Sequence, residues 1–437
     1  MNFGLRRAFY SPRNYSILAH QEDLCRSAND RSRPVTTMSF DNFPPHFRLL
    51  LLAVRVPLTS ADAERLRRIA ANDIDWRAFL AAAHSHRLSP LALCGLQSAA
   101  LSAVPDFVFR ELQSSQQASA MRAVKITLET QRIVNHFAAS GFTLICLKGI
   151  TLSQTIYGDP YLRHSGDLDL LTEERDLPGQ LLRMRELGYE LVDPACAASP
   201  RRLRLYIRYQ KDLSLCHVQS GRMVDLHWRL FNNRLHKANR LGMTAPINPG
   251  QSINASFRTL SRLDQFVYCA AHGSADAWVY FKGLADIAAL LHVLSPEELT
   301  QALIRTATLG LLPQVSSAIH LAAEFMGARV QHPLLLSPGD SFHQAMRSKV
   351  IRNLERSAFT PRRHNPGLFA AMRIELQLTP GLRSMREVIR RYLWRPRIWS
   401  IVNLPDALLW LTPLLGLVIP PRVARAPSGP SPPAHDA

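Results

Sequence analysis

Four short motifs that would each point to one chemistry are missing. The chain has no Walker A loop, no GxGxxG, no HExxH and no GxSxG. This argues against P-loop phosphate binding, a dinucleotide fingerprint, a zincin helix and a serine-hydrolase elbow. Cysteine is scarce and scattered: Cys25, Cys94, Cys146, Cys196, Cys216 and Cys269 form no CxxC. Several sit in apolar runs, as Cys146 does in TLICL, which predicts reduced, buried thiols in a cytoplasmic protein and argues against a disulfide frame or zinc site. Long apolar runs are also missing. Residues 398–421 come closest, but Asn403, Pro405, Asp406 and Pro413 interrupt them. Their charge-free part is about fifteen residues, short of the roughly 20 that a membrane span needs. Residues 1–37 are polar and Arg-rich and are no secretory signal. They are expected to be a disordered tail or an extension from a misassigned start, because patterning begins just after Met38. Internal repeats are not visible.

Acids are in deficit too, with 34 Asp and Glu against 52 Lys and Arg, a formal charge of +18. A basic balance favours polyanionic partners: nucleic acid, an acidic membrane or a nucleotide. The arginines are spread along the chain and no RNA-binding module is recognisable, so nucleic acid is not an expected partner. With 437 residues, 47% of them apolar and only 20 glycines, the chain can pack two or three largely helical domains or lobes.

The pattern that is present centres on residues 148–172. An apolar run, residues 143–147, leads into Lys148-Gly149 and predicts a strand followed by a helix over residues 149–157. After a turn at Gly158-Asp159-Pro160 come Arg163 and then Gly166-Asp167-Leu168-Asp169-Leu170-Leu171. On a strand, alternate side chains share a face, so Asp167 and Asp169 point one way and the leucines point into a core. Adjacent carboxylates repel, and a divalent cation with hard oxygen ligands resolves the conflict. A third acid, Asp225, lies in the alternating run Met223-Val224-Asp225-Leu226-His227-Trp228. It is expected on the second strand of a hairpin over residues 212–230, turning at Gln219-Ser220-Gly221.

Lys148-Gly149, Arg163, GDLDLL over residues 166–171 and VDLHW over residues 224–228 together resemble the uncharacterised nucleotidyltransferase family, part of the polymerase-beta-like superfamily. His272-Gly273, Trp278, Lys282-Gly283 and Asp286 resemble that family's helical second half. The resemblance covers roughly residues 42–422. It implies an α+β fold, in which a small mixed-sheet nucleotidyltransferase core is embedded between helical N- and C-terminal lobes. It also implies transfer of a nucleoside monophosphate from an NTP, with ATP the expected donor, to an unidentified acceptor hydroxyl or phosphate on a small molecule or protein. Asp167, Asp169 and Asp225 would be catalytic and would hold magnesium or manganese in a two-metal arrangement. Lys148, Gly149, Arg163, Gly166, His272 and Lys282 would bind nucleotide. Superfamily members mostly carry Gly-Ser or Gly-Gly at the phosphate turn, whereas this chain has Gly149-Ile150 and lacks that hydroxyl. The alternative is therefore a catalytically degenerate nucleotide-binding or protein-interaction module.

The expected organisation is a helical N-terminal lobe over residues 38–141, a catalytic core over 142–257, a helical lobe over 258–422 and a disordered tail over 423–437. In the first lobe Ser60 is read as a helix cap. A long helix over residues 106–140 would bury Val108, Leu112, Ala118, Met121, Val124, Leu128, Ile133 and Phe137. From Thr259 the pattern is wholly helical. The basic stretch over residues 199–208 is read as either an anion-facing helix or a solvated face. Residues 383–397 hold six arginines and one glutamate beside the apolar stretch 398–421. That pairing allows either peripheral membrane contact through residues 383–421 or packing on the helical lobe.

Overall fold

The structure, a computed structural model, describes residues 40–99, 103–241, 243–247, 257–361, 372, 375–376, 381–396 and 398–419. The expected tails, residues 1–37 and 423–437, lie outside the described residues. Helix α1 (Pro45–Ala53) starts behind Pro44, with Pro45 in the first turn, where a missing N–H costs no intrahelical bond. Helix α2 (Ser60–Ala70) is capped by Thr59, whose hydroxyl accepts from the Asp62 N–H; Ser60 is already inside the helix. Helices α3 (Trp76–Ser85), capped by Asp75, and α4 (Ser89–Ser98) complete the first group.

Helix α5 (Asp106–Ala139) runs for 34 residues and joins two cores. Its Val108 and Leu112 enter the helical core, while Ala123, Ile126, Ile133 and Phe137 pack beneath the sheet. The change of partner alters which face is buried. Ser119, Ala123, Thr127 and Thr130 go inside, and Met121 and Leu128 are about 60% exposed. The straight apolar stripe expected from sequence therefore breaks at mid-helix. The buried threonines bond back to carbonyls four residues earlier, which satisfies their hydroxyls.

The sheet follows: β1 (Ile145–Cys146), α6 (Ile150–Tyr157), β2 (Leu168–Leu171), α7 (Leu177–Glu186), β3 (Tyr189–Leu191), α8 (Pro200–Tyr209), β4 (Asp212–His217), β5 (Met223–His227), β6 (Met243–Ile247) and β7 (Phe257–Leu260). The strand order is β3-β4-β5-β2-β1-β7-β6. The β2–β5 and β1–β7 pairs are parallel and the others antiparallel, so the sheet is mixed. Strand β7 was not legible, because four residues abutting a helix give too short a period to read. It carries the sheet through Leu260, past the point where the sequence pattern turns helical. Leu168, Leu170, Val224 and Leu226 face α5, α7 and α8 in one core. The opposite face of β2 and β5 carries the acids.

Helices α9 (Arg262–Ala275), α10 (Lys282–Val293), α11 (Pro296–Leu309), α12 (Leu312–Met326) and α13 (Ser341–Arg356) follow. They share one core with α1–α4: Phe43 stacks on Phe325 at 5.9 Å and Phe47 meets Phe281 at 5.6 Å. The helical regions from both ends of the chain thus close on each other as well as on the sheet. The last segment, α14 (Leu382–Leu393), α15 (Ile398–Ile401) and α16 (Thr412–Val418), docks on α8 through a small core of Trp399, Leu404 and Leu409. Arg202 of the basic stretch is buried there and donates to Asn403 Oδ1 and the Leu404 carbonyl. Arg202 also pairs with Asp406 at 3.8 Å and so anchors the C-terminal segment, whereas Arg201, Arg204 and Arg208 are exposed, in keeping with a solvated face.

Candidate active site

Parallel pairing of β2 with β5 sets Asp169 directly opposite Asp225. Asp167 lies two residues before Asp169, at the entrance of the strand. Carboxylate oxygens of Asp167, Asp169 and Asp225 lie within 4.8 Å of one another. Asp225 is fixed by the hairpin: Ser214 pairs with it across β4–β5, and the Ser214 hydroxyl donates to Asp225 Oδ1 at 2.6 Å. Burial raises the Asp225 carboxyl above its ordinary range; the Ser214 bond opposes that shift and the Asp169 charge adds to it. Burial also acts to raise Asp169, but the bond and charge from His227, with Lys148 nearby, hold it below the usual carboxylate range.

His227 is buried between two acids. Its Nε2 lies 3.4 Å from Asp169 Oδ1, and its Nδ1 lies 3.2 Å from Lys211 Nζ and 3.5 Å from Asp212 Oδ2. Lys211 also pairs with Asp212. An ammonium can only donate, so this network assigns the proton to His227 Nε2, facing Asp169.

Lys148 reaches the site because the ladder runs one residue beyond β1: the Leu147 N–H donates to the Asp169 carbonyl at 3.1 Å. The Lys148 ammonium sits 4.8 Å over the Tyr268 ring, and burial lowers its pKa while Asp169 opposes the shift. Gly149 caps α6 with φ 72° and ψ −131°, a backbone conformation open to glycine and strained for other residues. A Cβ there would lie 3.7 Å from Ser165 Oγ. A hydroxyl from the next loop thus stands beside the Gly149 turn. Gly166 follows Ser165 and is exposed at the mouth of the site.

The loop ahead of Asp167 is braced from two sides. Ser153 of α6 accepts from the Arg163 N–H and donates to the Asp159 carbonyl. Arg163 is 5% exposed, and its Nε donates to both oxygens of Asp286 at 2.9 and 3.0 Å. Its Nε is therefore bound to α10, and among the described residues no ion pair joins Arg163 to the three acids. Lys282, also from α10, donates to the His164 carbonyl at 3.0 Å. The i, i+4 pair Lys282 and Asp286 bonds to the loop and not to itself.

The glycines of the second motif serve Trp278. A Cβ at Gly273 would meet the indole at 2.2 Å and one at Gly283 at 3.3 Å. The buried indole locks the α9–α10 turn, which sets where Lys282 starts its helix. His272 lies above the acids, its ring 5.7 Å from Tyr268 and Nδ1 3.5 Å from Asp276. Burial, with the Lys148 charge beside it, pushes His272 down to about 3, so it is neutral.

With this geometry in view, the sequence profile of the uncharacterised nucleotidyltransferase family matches residues 72–327. The chain belongs to this family. The match takes in α3, α4 and all seven strands, and it ends just past α12. No curated protein matches the chain.

Sequence reasoning missed Ser214, Lys211 and Asp212. The expected turn at residues 219–221 would have put Leu215 opposite Asp225; the loop spans 218–221, with the His217 N–H donating to the Arg222 carbonyl, and this one-residue shift sets Ser214 opposite Asp225 and Asp212 opposite His227. Tyr268 beneath Lys148 carried no signal, because only the packing of α9 on the sheet brings the two together.

Proposed function

We propose that this protein transfers a nucleoside monophosphate from an NTP, ATP first among them, to a hydroxyl or phosphate of a small molecule or protein. The acceptor oxygen attacks the α-phosphorus, the α–β phosphoanhydride bond breaks and pyrophosphate leaves. The observation that carries this reading is the convergence of Asp167, Asp169 and Asp225 within 4.8 Å on the open face of a mixed sheet. Three hard oxygen donors this close fit magnesium or manganese, as one ion or two. When bound, such ions supply charge neutralisation to the carboxylates and the transferred phosphate.

The chain's own residues perform the rest. Asp225, its Oδ1 held by Ser214, aligns the acceptor hydroxyl and accepts its proton. Asp167 and Asp169 hold the metal, with His227 orienting Asp169. Gly149 lets the backbone approach the phosphates, and Lys148 and the first amides of α6 face the anion. Arg163 holds the loop in place from behind, through Asp286. His272 packs over the nucleotide. Preorganised charge and positioning supply most of the rate. The free thiols of buried Cys146, Cys196 and Cys269 favour a cytoplasmic setting.

Calorimetry with each NTP, with and without magnesium, on wild type and Asp167→Ala/Asp169→Ala tests this. Magnesium-dependent binding that the double variant loses is expected. Asp225→Asn should abolish turnover while keeping part of the binding; full activity in that variant, or no NTP binding by wild type, overturns the reading in favour of a degenerate module.

A second surface favours an anionic lipid as a peripheral partner. Among the described residues, no helix is long and apolar enough to cross a membrane. Yet Trp410, Leu414, Leu417 and Val418 form one exposed stripe, 54–80% accessible. On α14, Leu382, Met385 and Ile389 are exposed beside the exposed row Arg383, Arg386 and Arg390. Apolar and basic stripes side by side suit a lipid headgroup boundary. The full chain should float with vesicles containing anionic lipid, and Trp410→Ser/Leu414→Ser should stay at the bottom of the gradient. Equal flotation of the two proteins sinks this assignment.

A further inference from the structure

Two strained turns meet beside the loop that leads to Asp167. Arg87, between α3 and α4, has φ 62°, and Ala277 and Trp278, between α9 and α10, have φ 51° and 52°. Non-glycine residues persist in left-handed backbone only where packing enforces it, and such strain concentrates at functional sites. His86 supplies the enforcement at the first turn. It is fully buried, Nδ1 accepts from the Phe281 N–H at 3.3 Å, and Nε2 donates to the Phe359 carbonyl at 3.0 Å. The lock sets the Arg87 guanidinium 4.4 Å over the Tyr280 ring, two residues before Lys282.

A third cation arrives from another helix. Arg122 of α5 points Nη1 at His164 Nδ1, 3.5 Å away, while Lys282 bonds the His164 carbonyl at 3.0 Å. Arg122 and Lys282 thus meet at His164 from two separate helices, and Arg87 stands on Tyr280, two residues before Lys282. Among the described residues none of the three pairs with a carboxylate. The acid on the face of Lys282, Asp286, has both oxygens taken by Arg163. Cations gathered without a counter-ion are costly unless an anion completes them.

We propose that Arg87, Arg122 and Lys282 form a phosphate pocket that takes the terminal phosphate of the NTP. This rests on the nucleotidyl-transfer reading above. The position follows from the loop that joins the phosphate turn to the cations. Ser165 Oγ lies 3.7 Å from where a Cβ on Gly149 would stand, and the residue before it, His164, meets Arg122 on its ring and Lys282 on its carbonyl, so the cations stand one residue along the loop from the phosphate turn. A phosphate on the acceptor has the same chemistry, but in-line displacement puts the acceptor across the α-phosphorus from the leaving pyrophosphate. Burial, with Arg163 next, pushes Lys282 down to about 7, and burial followed by Lys282 and the three arginines pushes His164 to about 3. Both shifts suit a cluster that lacks its anion.

The test is calorimetry on wild type, Arg122→Gln and Arg87→Gln/Arg122→Gln, using inorganic tripolyphosphate, orthophosphate, NMP and a non-hydrolysable NTP, all with magnesium. Arg122 is exposed, so its single variant separates binding from folding. Each charge-assisted bond lost is worth roughly tenfold or more. Tripolyphosphate and the NTP analogue should therefore weaken at least tenfold in both variants, while NMP is unchanged. Unchanged tripolyphosphate affinity overturns the proposal. Weakened orthophosphate binding with tripolyphosphate unaffected assigns the pocket to an acceptor phosphate and refutes the terminal-phosphate assignment. Should wild type bind tripolyphosphate but no NTP, with the variants weakening tripolyphosphate, the pocket stands and the nucleotidyl-transfer reading fails.

Discussion

Replacing Arg163 by Met strands Asp286 as an unpaired buried carboxylate. Both side chains are about 5% accessible, and the two bonds of Nε, at 2.9 and 3.0 Å, are the pairing that satisfies the acid. Breaking one partner of a buried pair costs about 3–5 kcal/mol, because the remaining charge keeps its desolvation cost without the attraction. Replacing both by apolar residues of similar volume, Arg163→Met/Asp286→Leu, removes that unpaired charge and should recover to within about 1 kcal/mol of wild type. Denaturant unfolding of the two single variants and the double variant measures this as a cycle. Catalysis supplies a second axis. If Arg163 only positions the loop, the double variant binds NTP within a fewfold of wild type, and the defect appears in kcat as Asp167 loses its support. Two outcomes refute the reasoning. One is a double variant that loses stability as the sum of the two singles. The other is an NTP affinity that collapses with stability restored, which would make Arg163 a phosphate ligand after all.

Gly273→Ala drives a methyl into the buried Trp278 indole, and overpacking of this kind costs about 1–3 kcal/mol. Gly283→Ala, with its nearest approach at 3.3 Å, should cost less. Equal unfolding midpoints for the two would show that the turn yields to the indole. Lys282 gives a pH signature. Burial and Arg163 hold it at about 7 in the free protein, with Arg87 and Lys148 adding to that shift and Asp286 opposing it. An anion bound beside Lys282 raises that value, so binding favours the protonated form. Tripolyphosphate affinity should then be full below pH 7 and fall as pH rises above it. Lys282→Arg should flatten the profile, and an unchanged slope in that variant refutes the role.

The Arg87 and Arg122 pocket shows where sequence reading stops. Each arginine looked like one more member of an evenly spread basic population. Only the turn held by His86 and the passage of α5 under the loop give them a common target. Helix α5 shows the same limit: period 3.6 over 34 residues fixed the helix, but its buried face depends on two different cores meeting it along its length. Strand β7 is a strand through its neighbours β1 and β6, both of which only the fold supplies.

What the sequence determined by itself is the local chemistry. Alternating Asp and Leu at period 2 dictates which side chains share a face of a strand. Gln219-Ser220-Gly221 between two alternating runs dictates a hairpin with Asp225 on its second strand, while the register that brings Ser214 to Asp225 came with the fold. Tertiary structure decided the rest. It set β2 parallel to β5, so that acids 56 residues apart face each other in register. It brought the hydroxyl of Ser165 beside Gly149 and the Nε of Arg163 onto Asp286. The physical reason is range. Sterics and side-chain period act over a few residues of chain, whereas the pairing of charges and the closure of cores depend on segments that only the folded sheet and helices bring within bonding distance.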